Sequence, residues 1–480
     1  MRKRLLALLP LALAGCSWLS PTYKRPTPSL PQTWGTATTA APADNIDWWR
    51  SYGDPVLDQL VEDALRNSDD LALAKNHLQQ ARAEYDYAFA SQLPMISGVG
   101  ADAFGRFHMN DNLPIPHKTS NLGFVGGMLT YELDLWGKNA SASDAAKAGV
   151  QAGVYAQAAA RIMVESATTR LYFSIRALDA EVAILQDEVN TQTQLLALVQ
   201  KQYEVRAVDA LTLNTVNQQL DTAQAALPAA QDQRGKAESA LAVLIGRSPQ
   251  DIIGQDLPRG RDILAITVPS PTPPQLPATL IERRPDIAMR EQGLIASNYA
   301  IGYARAAYFP TISLASLAGV NNVDIDNLYR ATTRSWTLAA AMATPLLDFG
   351  RTRSGVKLAK TQKEEQAILY QQSIRTAFRE VRDALNEEHT SATRDEADAK
   401  RVASSQENLN LTELRLKEGF ASQIDVLAAQ ATLQQTELAR VSARLAWLDA
   451  SLDMYRAIGG GFSMDRERDA KKIAPSFHIH

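Results

Sequence analysis

The chain has 480 residues, 45% hydrophobic and 21% charged, with 49 Lys+Arg against 53 Asp+Glu and a formal charge of −4. That composition excludes a disordered chain and lacks the global basic balance of a nucleic-acid binder, and the length alone suggests about three domains. A single Cys forbids any intramolecular disulfide and any Cys-based zinc site.

Residues Met1 to Arg4 are basic, Leu5 to Ala14 form an apolar run too short to span a bilayer, and Leu13-Ala14-Gly15-Cys16 closes it with small residues. This reads as a signal peptide over residues 1–15. The only Cys, placed directly after the small residues, resembles the lipobox of a bacterial lipoprotein. The resemblance implies that Cys16 becomes an acylated N-terminus, and that Ser17 in place of Asp directs the protein to the outer membrane. Buried acyl chains, at about 0.8 kcal/mol per CH₂, make a stable anchor. Residues 16–53 are a lipid-anchored tether, and Ser20 to Ala43, rich in Pro, Thr, Ser and Ala, is expected to lie extended over something else.

A first structural unit is expected over residues 54–246. Asp54-Pro55 sets an N-cap before Pro at the first helical position, and a seam at 60, 64, 67, 71, 74, 78, 81, 85 and 88, interrupted only by Asn67, predicts one helix to about Ser91. Pro94 stops it. Ile96 to Phe107 and Leu122 to Leu135 read as strands of a hairpin over 96–135, with a polar loop from Arg106 to Asn121. A long helix over 139–206, about 100 Å at 1.5 Å per residue, carries a seam from Leu171 to Tyr203. A helix over 209–245 follows, and Pro228 inside it predicts a kink. Two shorter helices stacked end to end would match the long one.

Residues 247–279 read as a linker, 280–458 as a second unit and 459–480 as a tail. In the second unit Pro285 opens a helix, Ile312 to Val320 and Trp336 to Phe349 read as strands of a hairpin over 312–349, Asn321 to Arg334 is a polar loop, and helices fill 352–458. The two units repeat each other. Asp70-Leu71-Ala72 matches Asp286-Ile287-Ala288, Tyr87 matches Tyr303 and Pro94-Met-Ile-Ser97 matches Pro310-Thr-Ile-Ser313, all offset by 216. Leu133-Asp-Leu135 matches Leu347-Asp-Phe349 at 214, and Gly137-Lys138 matches Gly350-Arg351 at 213. A drift of three residues over so long a span marks a duplication, which replaces the length-based estimate of three domains.

No segment after Cys16 approaches the roughly 18 apolar residues of a membrane helix, so a membrane crossing requires a closed barrel. Four strands cannot close one, because single-chain bacterial barrels begin at about eight. The strands must be pooled between subunits. The fold class expected from the residues is therefore all-α coiled-coil segments joined to a membrane β-barrel to which each chain gives four strands.

At this point the chain resembles a known family, the outer membrane factors or TolC-type exit ducts, in the lipoprotein branch that serves efflux pumps. The carrying residues are Cys16 with Pro21-x-Tyr23-x-Arg25-Pro26, Trp48-Trp49 before Gly53-Asp54-Pro55, Arg284-Pro-Asp-Ile287, Ala306-Ala-Tyr-Phe-Pro-Thr-Ile-Ser313, Tyr131-Glu-Leu-Asp-Leu-Trp-Gly137 with Leu346-Leu-Asp-Phe-Gly350, Gly419 ahead of Asp425, and Tyr455-Arg-Ala-Ile-Gly-Gly-Gly461. The resemblance implies a homotrimer with a shared barrel of about twelve strands continued by a periplasmic helical tube. It implies a passive duct that discharges drugs or other small toxic compounds, working with a periplasmic adaptor protein and an inner-membrane efflux transporter. An alternative is the duct of a type I protein secretion system, and a pore-less periplasmic coiled-coil lipoprotein is a rival of another class.

By the same resemblance Gly419 is a turn glycine, Asp425 a gate residue on the bore, and Ala428 stands where relatives carry a second Asp. Arg206 and Thr212 occupy the corresponding places in the first unit, leaving Asp209 a weaker substitute for the gate and Arg444 a weaker locking partner. A solvated Asp at a helix N-terminus is the plain alternative for Asp425. The tips, Arg206 and Asp209 on one and Gly419 and Ser422 on the other, are the expected adaptor contacts. Enzymatic chemistry is not expected: the six His, at 77, 108, 117, 389, 478 and 480, show no HExxH spacing, and neither a GxSxG elbow nor a phosphate loop occurs. No metal and no cofactor other than the lipid on Cys16 is expected, and no nucleic-acid partner.

Overall fold

The computed structural model describes residues 19–32, 46–105, 120–254, 256–270, 277–322 and 333–462. The signal segment, Cys16, residues 33–45 of the tether, most of the two polar loops (106–119 and 323–332) and the tail beyond 462 lie outside the described residues.

Asp54 caps the first helix, α1 (Pro55–Asn67), its Oδ1 accepting the Val56 N–H at 3.0 Å while Pro55 takes the first position. The single helix expected to run to Ser91 instead breaks at Ser68, whose ψ of 128° is extended, and α2 (Asp69–Ala90) starts anew. The duplication explains the break. Ser68 corresponds at offset 216 to Arg284, also extended (φ −110°, ψ 117°), which precedes α7 (Pro285–Ala306). Pro285 therefore matches Asp69, not Pro55.

Both breaks receive the end of another helix. The long α3 (Lys138–Glu204) is followed by α4 (Ala210–Leu244), α5 (Pro249–Gly254) and α6 (Leu280–Arg283); after α7 and two strands come α8 (Arg351–Lys417) and α9 (Gln423–Ala457). Past the ends of α4 and α9, Gly246 (φ +73°) and Gly459 (φ +97°) close left-handed caps. A Cβ on Gly246 would collide with the Asn67 carbonyl, and one on Gly459 with the Arg283 carbonyl. Only glycine allows this abutment together with this φ. α2 and α4 thus both pack along α3, as the stacking expectation required, and α7 and α9 pack along α3 and α8. α4 is continuous through Pro228, which is exposed.

The strands form one antiparallel sheet in the order β1 (Met95–Gly105), β2 (Ser120–Leu133), β3 (Thr311–Asn322), β4 (Thr333–Ala343). The pairing of β2 with β3, as in Leu133↔Ile312, joins the two hairpins. β4 starts earlier than expected and ends six residues sooner, before Pro345, which has no N–H to give a ladder. The register sorts the faces. Ile96, Leu129, Ile312, Trp336, Leu338 and Met342 share one, and Ser97, Thr130, Glu132, Ser313, Ser335 and Thr337 share the other. Phe124, Met128 and Leu317 stand on the polar face, which is why alternation is weak in the sequence.

The main core lies at the helix junctions. Trp48, Trp49 and Tyr52 of a 3-10 turn are buried with Phe173 of α3 and Tyr455 of α9, Trp48 stacking on Tyr455 at 5.1 Å. Buried Asp54 ties this core to the linker, its Oδ2 accepting the Tyr172 hydroxyl at 2.6 Å and the Arg261 N–H at 2.9 Å. Glu165 is 1% exposed; Trp48 Nε1 donates to it at 3.2 Å and Arg161 Nε at 2.7 Å. A second core joins α6, α7, α8 and the end of α9, with Tyr23 and Leu30 of the tether packed on it. The tether runs along α7: Arg25 forks onto buried Glu291 at 2.6 and 2.5 Å, Asn298 Nδ2 donates to the Pro21 carbonyl at 2.6 Å, and Arg305 to the Leu19 carbonyl at 3.0 Å.

Candidate functional site: the helical tips and the open flanks

Each tip is a helix end, a left-handed residue and a new N-cap. Arg206 (φ 63°) and Gly419 (φ 77°) are equivalent, and both turns close as Schellman caps: Ala207 N–H donates to Gln202 at 2.8 Å and Phe420 N–H to Arg415 at 2.7 Å. Arg206 pays for the left-handed conformation that Gly419 adopts freely, a difference of about 1 kcal/mol.

The N-caps carry one chemical pair in opposite order. In the first tip Asp209 is the N-cap, its Oδ1 accepting the Thr212 N–H at 2.9 Å and the Thr212 hydroxyl at 2.7 Å. In the second, Ser422 is the N-cap and Asp425 the third residue, closing a capping box: Ser422 N–H and hydroxyl donate to Asp425 Oδ2 at 2.7 and 2.8 Å, and Asp425 N–H donates to the Ser422 hydroxyl at 3.2 Å. The Asp209 carboxyl is held below the usual carboxylate range first by the Thr212 N–H, and the Asp425 carboxyl first by the Ser422 N–H. Both are exposed and ionised at neutral pH. The hydrogen bonds engage Asp425 as a cap and leave its charge facing solvent.

Arg444 does not reach the tips. It lies nineteen residues beyond Asp425 on α9, about 28 Å at the helical rise. There it bridges Asp395 of α8 at 3.2 Å, donates to the Leu264 and Ile266 carbonyls at 3.1 and 2.8 Å, and covers Trp447 at 5.1 Å. The cation that lowers the Asp425 carboxyl is Arg415 of α8. Ala428 is exposed, one turn from Asp425.

Side chains that the turn residues did not announce also stand at the tips: Val205, Leu211 and Phe420 are 75%, 74% and 75% exposed. Val205 and Phe420 stand in the turns and Leu211 in the first turn of α4, and the sequence signal for them is an apolar residue with no seam to enter.

The flanks are the other open feature. α3 is covered by α2, α4, α7 and α9, and α8 by α7 and α9, so α8 bounds one side of the chain and α2 with α4 the other. The sheet has the same polarity: β1, next to α2, and β4, next to α8, are its edges. Among the described residues no helix is long and apolar enough to cross a membrane, and no cluster of His, Cys, Asp or Glu could hold a metal.

The profile of the outer membrane efflux protein family matches residues 60–247 and again 276–460. Outer membrane protein OprJ of Pseudomonas aeruginosa is 31% identical over 472 residues, 96% of each chain. Cation efflux system protein CusC of Escherichia coli O6:H1 is 28% identical over 458 residues, 94% of this chain and 97% of its own. The crystal structure of the Campylobacter jejuni CmeC outer membrane channel aligns with a TM-score of 0.84 at 26% identity, covering 93% of this chain and 96% of that one.

Proposed function

The chain belongs to the outer membrane efflux protein family, and from that premise we propose that three copies close into one duct that an inner-membrane transporter feeds through a periplasmic adaptor. The protein is a passive outer-membrane channel of the efflux type, extending into the periplasm, and not an enzyme.

The observation that carries the trimer is the coincidence of the flanks. A sheet with an apolar face and two unpaired edges of eleven residues each cannot sit in hydrocarbon alone. Pairing β4 of one copy with β1 of the next also sets α8 of the first against α2 and α4 of the second. Such a head-to-tail contact forms a ring when its rotation closes. Three copies give about twelve strands, wide enough for an aqueous bore, whereas two would give about eight, an interior that side chains fill.

The anchor fits the same placement. Leu19 is held by Arg305, six residues before β3, and Cys16 precedes Leu19 by three residues, a span of about 10 Å at most. An acyl chain on Cys16 therefore reaches the membrane end of the helices. At the far end the Asp425 carboxylates would converge on the axis as a cation-attracting gate, and Phe420, Val205 and Leu211 would meet the adaptor. On this reading the cargo is drugs or other small toxic compounds.

Purified lipidated protein in planar bilayers, with its mass measured intact, tests the reading. Discrete conductance from a complex of three chains is the expected result; a non-conducting single chain refutes it.

A further inference from the structure

The membrane end of α8 carries a charge excess to which the duct assigns no role. β4 ends at Ala343 and α8 begins at Arg351. Between them Leu346, Leu347 and Phe349 are 93%, 75% and 92% exposed, and Tyr87, Tyr303 and Tyr308, near the membrane ends of α2 and α7, are exposed as well. Aromatic and apolar side chains standing in solvent at strand ends are those of a membrane–water interface. The next thirteen residues hold Arg351, Arg353, Lys357, Lys360 and Lys363, with no carboxylate before Glu364. Lys363 donates to Asn298 Oδ1 at 2.7 Å, and the other four form no ion pair among the described residues. Cations in the first turns oppose the helix dipole, and the Asp348 carboxylate, which accepts the Gly350 and Thr352 N–H groups at 2.9 Å, is one anion against the five cations that follow it.

The first copy is an internal control. At offset 213, Lys138, Ala140, Asp144 and Lys147 stand where Arg351, Arg353, Lys357 and Lys360 stand in the second. Glu132 bridges Lys138 at 3.0 Å, and Asp144 faces Lys147. The unopposed charge belongs to the second copy alone.

Its direction follows from the tether. Arg353, Lys357 and Lys360, spaced i, i+4, i+7, share one face of α8. Lys360 lies about 60° around the helix from Lys363. Lys363 holds Asn298, which donates to the Pro21 carbonyl. The cations therefore lie beside the path of the tether, which runs along α7 from Pro21 to Leu19 toward the segment that the proposed function anchors in the membrane.

We propose that Arg353, Lys357 and Lys360 dock the anionic headgroups of glycerophospholipids in the leaflet facing the periplasm, with Leu346, Leu347 and Phe349 entering its interfacial layer. Charge complementarity selects this occupant, and continuity with the lipid-facing sheet places it. The inference rests on the membrane position argued above.

The test uses the full lipidated duct in bilayer nanodiscs of phosphatidylcholine doped with phosphatidylglycerol, with retained lipid read by native mass spectrometry. Wild type should retain phosphatidylglycerol selectively. The triple variant Arg353→Gln, Lys357→Gln, Lys360→Gln should lose that preference about a hundredfold, at about fivefold per charge near an anionic surface. Lys147→Gln, and the charge-keeping triple Arg353→Lys, Lys357→Arg, Lys360→Arg, should match wild type. Equal retention in wild type and the Gln triple overturns the proposal, as does a Gln triple that falls apart into single chains, which would mean that a second copy occupies the face. Failure of wild type to enter the discs overturns the membrane position itself.

Discussion

Glu165 offers a perturbation whose size follows from the structure. Its carboxyl is 1% exposed, and burial, the largest influence, pushes it from 4.5 up to about 7 against the opposing effects of Arg161 and Trp48. A carboxyl whose folded pKa is raised binds more protons in the folded chain than in the unfolded one between those two values. Stability therefore falls as pH rises from about 4.5 to 7 and levels off above. A shift of about 2.5 units corresponds to roughly 3 kcal/mol. Glu165→Gln keeps an oxygen for the Trp48 N–H and removes the titration. The variant should match wild type near pH 4.5 and exceed it by up to about 3 kcal/mol at pH 8, less whatever the half-exposed Arg161 contributes. Urea unfolding followed by tryptophan fluorescence, at pH 4.5, 6 and 8, reads the difference. A difference that does not grow with pH, or a variant less stable at pH 8, refutes the assignment of a strained buried carboxylate.

Asp425→Asn retains an acceptor for the Ser422 N–H while deleting the charge, so it should keep the helix end and raise single-channel conductance with reduced cation preference. Asp425→Ala should do the same and also lose about 1 kcal/mol of capping; unchanged conductance in both removes Asp425 from the gate. Gly419→Leu, strained at φ +77°, should abolish adaptor-dependent efflux with trimer and conductance intact, and normal efflux would take this tip out of the adaptor contact. Arg206→Gly should relieve the first tip by about 1 kcal/mol, seen as a higher unfolding midpoint, and a lower midpoint would contradict the left-handed strain.

Repetition was the most legible property of the sequence, because the duplicated prolines, glycines and seams survive as residue identities. The break at Ser68 was hidden because the seam passes through it: Ala64, Asn67 and Leu71 keep helical spacing whether or not the backbone stays helical. Alignment of Ser68 with Arg284 would have exposed it. The end of β4 was misjudged because Leu346 and Leu347 look strand-like, while Pro345 ends the ladder. Trp48-Trp49, recognisable only as a family mark, turns out to be core, and Asp54, legible as an N-cap, is also the polar hub of the helix junction.

At the tips the chemistry was partly legible. Ser422 and Asp425 stand at capping-box spacing, a local signal that explains the carboxylate's hydrogen bonds without reference to a gate. Arg206 gave no sign of its left-handed backbone except by analogy with Gly419. Arg444 looked available to the tips because its charge was visible and its partners, Asp395 and two linker carbonyls, were distant in sequence.

Inter-chain pairing of β4 with β1 is the claim on which the duct depends. Cys16 is the only native cysteine, so cysteines placed at Ser97 or Val99 on β1 and scanned through Thr337, Ala339 and Ala341 on β4 report that contact alone. Oxidised in membranes and run without reductant, at least one combination should give a covalent ladder that ends at three chains. A scan that yields only single chains, or a ladder that stops at two or runs past three, contradicts the account.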